Sequence, residues 1–389
     1  MGENSISNLT KPLAVDEVSI NILVDNTIEW FGKLPPGFSN EVNQHLTRPD
    51  VPIDEKTKTP VLDLDNYCCG AHGLSIVIST TLDGKTHHTL FDTGPEAQSI
   101  ARNISALKPP LASINRVVLS HWHRDHSGGI LEFLRLASEA RAHSADDKPS
   151  NKVVVDVHAN RPTARGIAPP PKYDRVIARL PEDPTFAEIE AAGGVVEAHL
   201  GEAEGADKHR GHAVAGGTVW VSGEIPRAIE FEGGLLSGVR WVENTSGENK
   251  EGKWEPEFHI MDERYVAVDV KGKGLIIFSS CSHAGICNVV QDAATRLARP
   301  IYMIVAGLHL GGPELHPRIA PTVDFLTRRL RPQPTYILPL HCTGFPAKIA
   351  LEHAIGEGCV PAGTGSKIVV KGGPDPLADE RLWKGEIVD

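Results

Sequence analysis

Apolar residues in this chain fall into runs of strand length, each closed by Gly, Pro, Asn or Asp. They are VSINILVD (18–25), LSIVIST (74–80), HHTLFDTG (87–94), INRVVLSH (114–121), KVVVDVHA (152–159), GTVWVSGE (217–224), RYVAVDVKGKGLIIFSS (264–280), IYMIVAG (301–307) and TYILPLH (335–341). Within the longest, AVDVKGKGLIIF predicts a hairpin turning at Gly272–Gly274. QSIARNISAL, GILEFLRLASEARAH, NVVQDAATRLA and RIAPTVDFLTRRL repeat their apolar residues at helical spacing instead. Strands and helices interleave over the full length, which predicts an α/β protein of sheets covered by helices. Two stretches break the pattern: the proline cluster GIAPPPKYDR (166–175) and the glutamate- and glycine-rich ENTSGENKEGKWEPE (243–257). Neither separates two self-sufficient sets of strands. The chain therefore reads as one domain over residues 1–389 with loop insertions near 161–185 and 226–262. A solvated surface excursion is the favoured reading of each loop and a lid over a site the other.

One polar segment stands out against this pattern. SHWHRDHSGGI (120–130) follows the apolar NRVVLS and leads through Ser-Gly-Gly into the helix beginning near Ile130. A turn leaving a strand end can aim His121 and His123 at one point, with Asp125 and His126 reaching a second beside it. Neutral imidazole and carboxylate suit zinc, iron or manganese. Two metals about 3.5–4 Å apart can share one hydroxide and clamp a reacting ester or phosphoryl group. Four ligands in one loop do not close two sites. His283, after LIIFSS, and His341, after TYILPL, both stand where a strand opens into a loop.

Composition narrows the partners. Hydrophobic residues are 40% and charged residues 23% of the chain, the usage of a folded globular protein. The formal net charge of −11 repels phosphate backbones and anionic bilayers, so neither nucleic acid nor membrane is expected as a partner. No run of about 18 apolar residues and no charged start followed by an apolar run is present, and the expected location is the cytoplasm. Six cysteines without framework spacing are expected as reduced thiols. The sequence leaves the oligomeric state open.

HWHRDHSGG resembles the H-x-H-x-D-H signature of the metallo-β-lactamase fold superfamily, and FDTG (91–94) resembles its first motif. LVDN, HGLSIVI, SGEIPR (222–227), SSCSHAGICN (279–288), AGLHL (306–310) and LHCTG (340–344) resemble, in order, the branch of dihydropterin-ribofuranosylaminobenzene phosphate synthase-like proteins. The matches run from about residue 20 to 345. The resemblance implies a four-layer αββα sandwich, two mixed β-sheets flanked by helices, with the metal site at one edge. It implies two divalent metal ions, zinc first, iron or manganese as alternatives. It pairs His121 and His123 with one ion and Asp125 and His126 with the other, His283 and His341 completing the shells. Asp125 would also orient the hydroxide.

His309 is open to three readings: substrate-binding donor, ligand or core histidine, with the first favoured and carried as catalytic. Many relatives place a bridging aspartate where this chain has Cys281, Ser282 and His283. Cys281 reads as a buried filler first and a thiolate ligand second, and Glu224 either as a substitute carboxylate or as a salt-bridge partner of Arg227. Asp92 reads as the carboxylate that accepts the far N–H of a ligand histidine. His72, His158 and Arg227 are candidates for the cleft wall. The implied activity is metal-assisted hydrolysis of a small, anionic ester, lactone or phosphoester by a metal-bound hydroxide at a dinuclear site. The alternatives are a synthase or lyase acting on a phosphorylated or pterin-like substrate at the same metals, and a catalytically silent metal or ligand binder.

Overall fold

The computed structural model describes residues 9–143, 152–199, 210–243, 252–373 and 385–388. Two large sheets dominate it. The first has eight strands in the order Phe38–Ser39, Lys367–Lys371, Glu17–Val24, Ser75–Leu82, Lys85–Phe91, Ile114–Val118, Val154–His158, Val195–His199. The second has six, in the order His212–Val214, Val219–Val221, Val266–Val270, Gly274–Ser279, Ile301–Gly307, Tyr336–Leu340. Both are mixed: antiparallel hairpins at one side give way to parallel neighbours at the other. The hairpin expected at Gly272–Gly274 joins Val266–Val270 to Gly274–Ser279, with Gly272 at φ 66° as its turn requires.

Side-chain alternation sends the residues of the central strands to opposite faces of each sheet and so builds three apolar layers. Val18, Ile20, Ile22, Ile76, Ile78 and Phe91 of the first sheet meet Val266, Val268, Ile276, Phe278, Met303, Val305 and Leu338 of the second in the central layer. Leu23, Val77, Leu90 and Val155 face outward onto helices Ala97–Leu107 and Ile130–Ala142 through Ile100, Ile104, Phe133 and Leu134. Ala267, Leu275, Ile277, Ile304 and Ile337 face the opposite way onto Ile286–Leu297, Ile319–Asp324 and Phe345–Ile355. Three apolar interfaces between helices, sheet, sheet and helices are the four layers of an αββα sandwich. Among the described residues no helix is long and apolar enough to cross a membrane.

The insertions are solvated loops only in part: residues 170–175 lie largely exposed, while their flanks form strands. Arg165–Ile167 pairs with Gly238–Val242, in the register Gly238↔Ile167, Val239↔Gly166 and Arg240↔Arg165. Ala178–Arg179 and Lys253–Pro256 flank that pair to make a four-stranded sheet. Each insertion alone leaves unpaired backbone groups; joined, they satisfy one another across the ladder. Residues 244–251 of the second stretch lie outside the described residues.

At one side the two large sheets are also joined by charge. Asp156, fully buried, takes Arg264 Nη1 at 2.8 Å, Arg116 Nη1 at 2.8 Å and His212 Nε2 at 2.8 Å. Arg116 lies in the first sheet, His212 in the second, and Arg264 just before the second sheet's Val266–Val270 strand. Burial alone would raise the Asp156 carboxyl, but Arg264 and His212 outweigh it and hold it far below the usual carboxylate range. Asp156→Ala strands the buried Arg264 and is expected to lower unfolding stability by about 3–5 kcal/mol in urea titration. A loss well under 1 kcal/mol would show that the sheets do not rely on this pairing.

Candidate functional site

The parallel strands of both sheets point their C-terminal ends to the same edge of the sandwich, and the chemistry-bearing residues lie in the turns leaving those ends. Asp92 follows Lys85–Phe91, Ser120 and His121 follow Ile114–Val118, Cys281 and His283 follow Gly274–Ser279, His309 follows Ile301–Gly307, and His341 follows Tyr336–Leu340. Asp92, Ser282, His309 and His341 all have φ between 45° and 58°, a conformation that side chains other than glycine adopt at a cost.

Asp92 shapes the histidine loop. Its buried carboxylate accepts Ser120 N at 2.7 Å and Ser120 Oγ at 2.8 Å, lies 2.8 Å from His126 Nδ1, and accepts Ser280 Oγ. The Ser-Gly-Gly that follows has a steric reason: a Cβ on Gly128 would sit 1.8 Å from the Pro95 carbonyl oxygen, and one on Gly129 2.2 Å from that of Thr93. Only glycine lets the one-turn helix Arg124–Ser127 press against the turn that carries Asp92.

Two donor groups result. In the first, His121 Nε2 lies 2.9 Å from His123 Nδ1, which lies 3.2 Å from His283 Nε2. In the second, His126 Nε2 stands 3.1 Å from Cys281 Sγ and 3.5 Å from Asp125 Oδ2, and His341 Nε2 stands 3.3 Å from the same carboxylate oxygen. Burial holds His121 and His283 neutral, their pKa values far below the usual imidazole value, and lowers His123 to about 3. Burial would raise the Asp125 carboxyl, but His126 and His341 outweigh it and keep it ionised. Three neutral imidazole nitrogens converging on one point cannot all be satisfied by shared protons, since each ring carries one N–H. His341 Nε2, which faces Asp125, is buried without a hydrogen-bond partner. A cation accepts from every converging lone pair, so this donor chemistry fits a divalent metal in each group.

The residues expected from sequence are thus brought together in the pairing His121 and His123 with His283, and Asp125 and His126 with His341. Cys281, read first as filler, turns its sulfur into the second group; burial pushes its thiol far up, so it needs a cation beside it to act as a thiolate. Glu224 belongs to neither donor group. His309 sets its ring 4.5 Å from that of His283, tilted by 60°, and leaves Nδ1 buried and unpartnered at the cavity. His72 also lines the cavity, with Nε2 3.7 Å from Asp125 Oδ2. His158 and Arg227 do not line it: the His158 carbonyl accepts Trp122 Nε1, and Arg227 donates to the Ile260 carbonyl.

Other residues of the site carried no role in the sequence reading. Asp25 accepts His341 N at 2.7 Å, and Asn26 Oδ1 lies 2.9 Å from His341 Nδ1; their signal was the LVDN segment. Glu263 accepts His283 N at 2.7 Å and Ala284 N at 2.6 Å, from a polar run with no distinguishing pattern. Cys342, beside His341, groups with Cys281 and His309. The donor groups floor a cavity of about 480 Å³ whose far wall is the four-stranded sheet of the insertions.

Asp92→Asn keeps the shape of the carboxylate but removes its charge and one acceptor oxygen. It is expected to weaken divalent-cation binding about 10- to 100-fold, read by competition with a chromophoric chelator. Unchanged affinity would confine Asp92 to shaping the turn.

Comparison with known proteins gives this edge a context. The family model described as the metallo-beta-lactamase superfamily matches residues 72–222, which span the first histidine loop. Among curated proteins, the 7,8-dihydropterin-6-methyl-4-(beta-D-ribofuranosyl)-aminobenzene-5'-phosphate synthase of Methanocaldococcus jannaschii is 27% identical over 290 residues, 71% of this chain and 82% of the relative. An uncharacterized protein of the same organism is 25% identical over 281 residues, 72% of this chain and 87% of its own. The crystal structure of a metal-dependent hydrolase of the beta-lactamase superfamily superposes with a TM-score of 0.57 at 18% identity, covering 91% of this chain and 99% of that one, which shows a shared fold. Over residues 72–222 this chain is thus similar in sequence to the metallo-β-lactamase superfamily, and its fold is shared with a metal-dependent hydrolase of that superfamily.

Proposed function

We propose that this chain is a metal-dependent hydrolase of a small ester, lactone or phosphoester, with two divalent cations, zinc first among them, at the His121/His123/His283 and Asp125/His126/His341 groups. The observation that carries the reading is the adjoining pair of donor groups on the floor of a cavity of small-molecule size. Imidazole with a thiolate from Cys281 is a donor set that favours zinc. Bound there, such ions supply Lewis acidity that polarises the scissile group and lowers the pKa of water toward neutrality.

The chain's own residues position the reactants. The ionised Asp125 accepts a hydrogen bond from the attacking water and turns its lone pair toward the substrate. His309, with a free ring nitrogen at the cavity, donates to the substrate oxygen that gains charge. Asp92 and Asn26 fix the rings of His126 and His341, so the donors meet the substrate without rearranging. Water adds across the scissile bond: its oxygen joins the acyl or phosphoryl centre and its proton leaves with the displaced oxygen.

One observation favours a second reading. The relative matched over 71% of this chain is named a synthase, which supports condensation or lyase chemistry on a phosphorylated or pterin-like substrate at the same donors. Turnover in heavy-oxygen water separates the two, since hydrolysis leaves one solvent oxygen in product and condensation leaves none.

Elemental mass spectrometry of protein purified without chelator or nickel resin is expected to find about two equivalents of metal. His121→Ala and His283→Ala are expected to lose metal, and Asp125→Asn to abolish turnover with an unchanged circular dichroism spectrum. One equivalent or none would overturn the dinuclear reading. The cobalt-loaded protein is expected to show a near-ultraviolet thiolate charge-transfer band that disappears in Cys281→Ser; a band of equal strength in the variant would remove Cys281 from the shell.

A further inference from the structure

The cavity has two unlike ends. Its floor holds the donor groups. Its other wall is the sheet made by the two insertions, which presents Ile167 and Val239, with Leu180, Leu235 and Ile260 lining the cavity beside it. This wall is a built surface. A Cβ on Gly166 would meet the Ala178 carbonyl oxygen at 2.8 Å and the Trp254 ring at 3.1 Å, so the strand that carries Ile167 is seated directly on its neighbours.

Charge along the wall is spent. Arg165, which lines the cavity, gives Nε and Nη2 to Glu257 at 2.7 and 2.8 Å, pairs with Asp262, and donates Nη1 to the Trp122 carbonyl oxygen at 2.6 Å. Those partners leave it no charge for a ligand anion. Arg124, in the histidine loop, also lines the cavity and donates to the Glu182 carbonyl oxygen at 2.6 Å, so this cation stands on the donor-group side. Among the described residues of the sheet and its flanks, the apolar side chains are relieved by the hydroxyl of Ser237 and by the paired Arg165 and Glu257. Anionic oxygens set against such a surface lose water and gain no donor.

We infer that the cavity takes a carboxylic ester or lactone whose acyl side carries an uncharged apolar arm, the reacting carbonyl over the donor groups and the arm against Ile167, Leu235 and Val239. The inference rests on the hydrolase reading for the reaction, while the arm rests on the wall alone. It selects among the three substrate types of that reading by the arm that each would carry. It also makes the insertions the part of the chain that determines specificity.

The test separates arm from reaction. Isothermal titration of the metal-loaded protein with butanoate, hexanoate and octanoate, the carboxylate products of such esters, is expected to show Kd falling about three- to fourfold per added methylene. In Leu235→Gln, at a half-buried position that tolerates a polar side chain, that slope is expected to flatten while the affinity for butanoate holds. Ile167→Ala gives a second reading of the slope should Leu235→Gln fold poorly, which a thermal melt reports. Affinity independent of chain length, or phenyl phosphate binding more tightly than octanoate, overturns the inference. The p-nitrophenyl esters of the same acids report turnover on the same protein. A chain-length slope in binding without turnover of any ester supports the arm and removes the hydrolase reading; turnover without a slope does the reverse.

Discussion

The fully buried carboxylate of Asp92 is the constraint on which the site depends. Its two oxygens gather groups from the ends of two strands and from the one-turn helix: Ser120 beyond Ile114–Val118, His126 in Arg124–Ser127, and Ser280 beyond Gly274–Ser279. The last of these crosses from the first sheet to the second. Desolvating a carboxylate is costly unless its lone pairs are filled, and here they are filled by groups that must also be in place for the donor residues to converge. The same interaction that settles the buried charge therefore settles where His121 and His126 point.

Neither half of the chain holds a complete donor group. His121 and His123 come from the first sheet and wait for His283 from the second; Asp125 and His126 wait for Cys281 and His341. The central layer of Val, Ile and Phe side chains does the work of bringing them together, since it is continuous between the sheets. A cation bound across the two groups would add its binding energy to that interface, so metal and fold are linked through mass action.

Much of this was legible in the sequence, for physical reasons. Alternation along VSINILVD marks a strand with one face in the core and the continuous apolar run of LIIFSS one buried on both faces, and the four helical stretches repeat their apolar residues at helical spacing. The histidine loop declares itself because neutral imidazoles and a carboxylate rarely crowd without a common partner. Other features were hidden because they depend on partners distant in the chain. FPAKIALEHAI is apolar on most sides, so its helix shows no stripe; Phe345 is exposed while Ala347 and Leu351 are buried. The pairing of Val239 with Gly166 joins two stretches that look like loops when each is read alone. A cysteine reads the same whether it fills a core or aims at a ligand, and only the turn after Gly274–Ser279 decides that Cys281 faces His126.

The strand Lys367–Lys371 lies between Phe38–Ser39 and Glu17–Val24 in the first sheet, although every strand of the second sheet precedes it in the chain. Its contacts span almost the whole polypeptide, Glu17 opposite Lys371, and such long-range closures slow folding. During synthesis Glu17–Val24 leaves the ribosome early and waits with one edge unpaired until the last of the sandwich has been made. For that interval it is an open apolar edge, the kind of surface that chaperones hold and that other nascent chains can pair with. The order in which the ribosome delivers the strands thus sets when this protein is most exposed to misassembly, and that moment comes before its site exists.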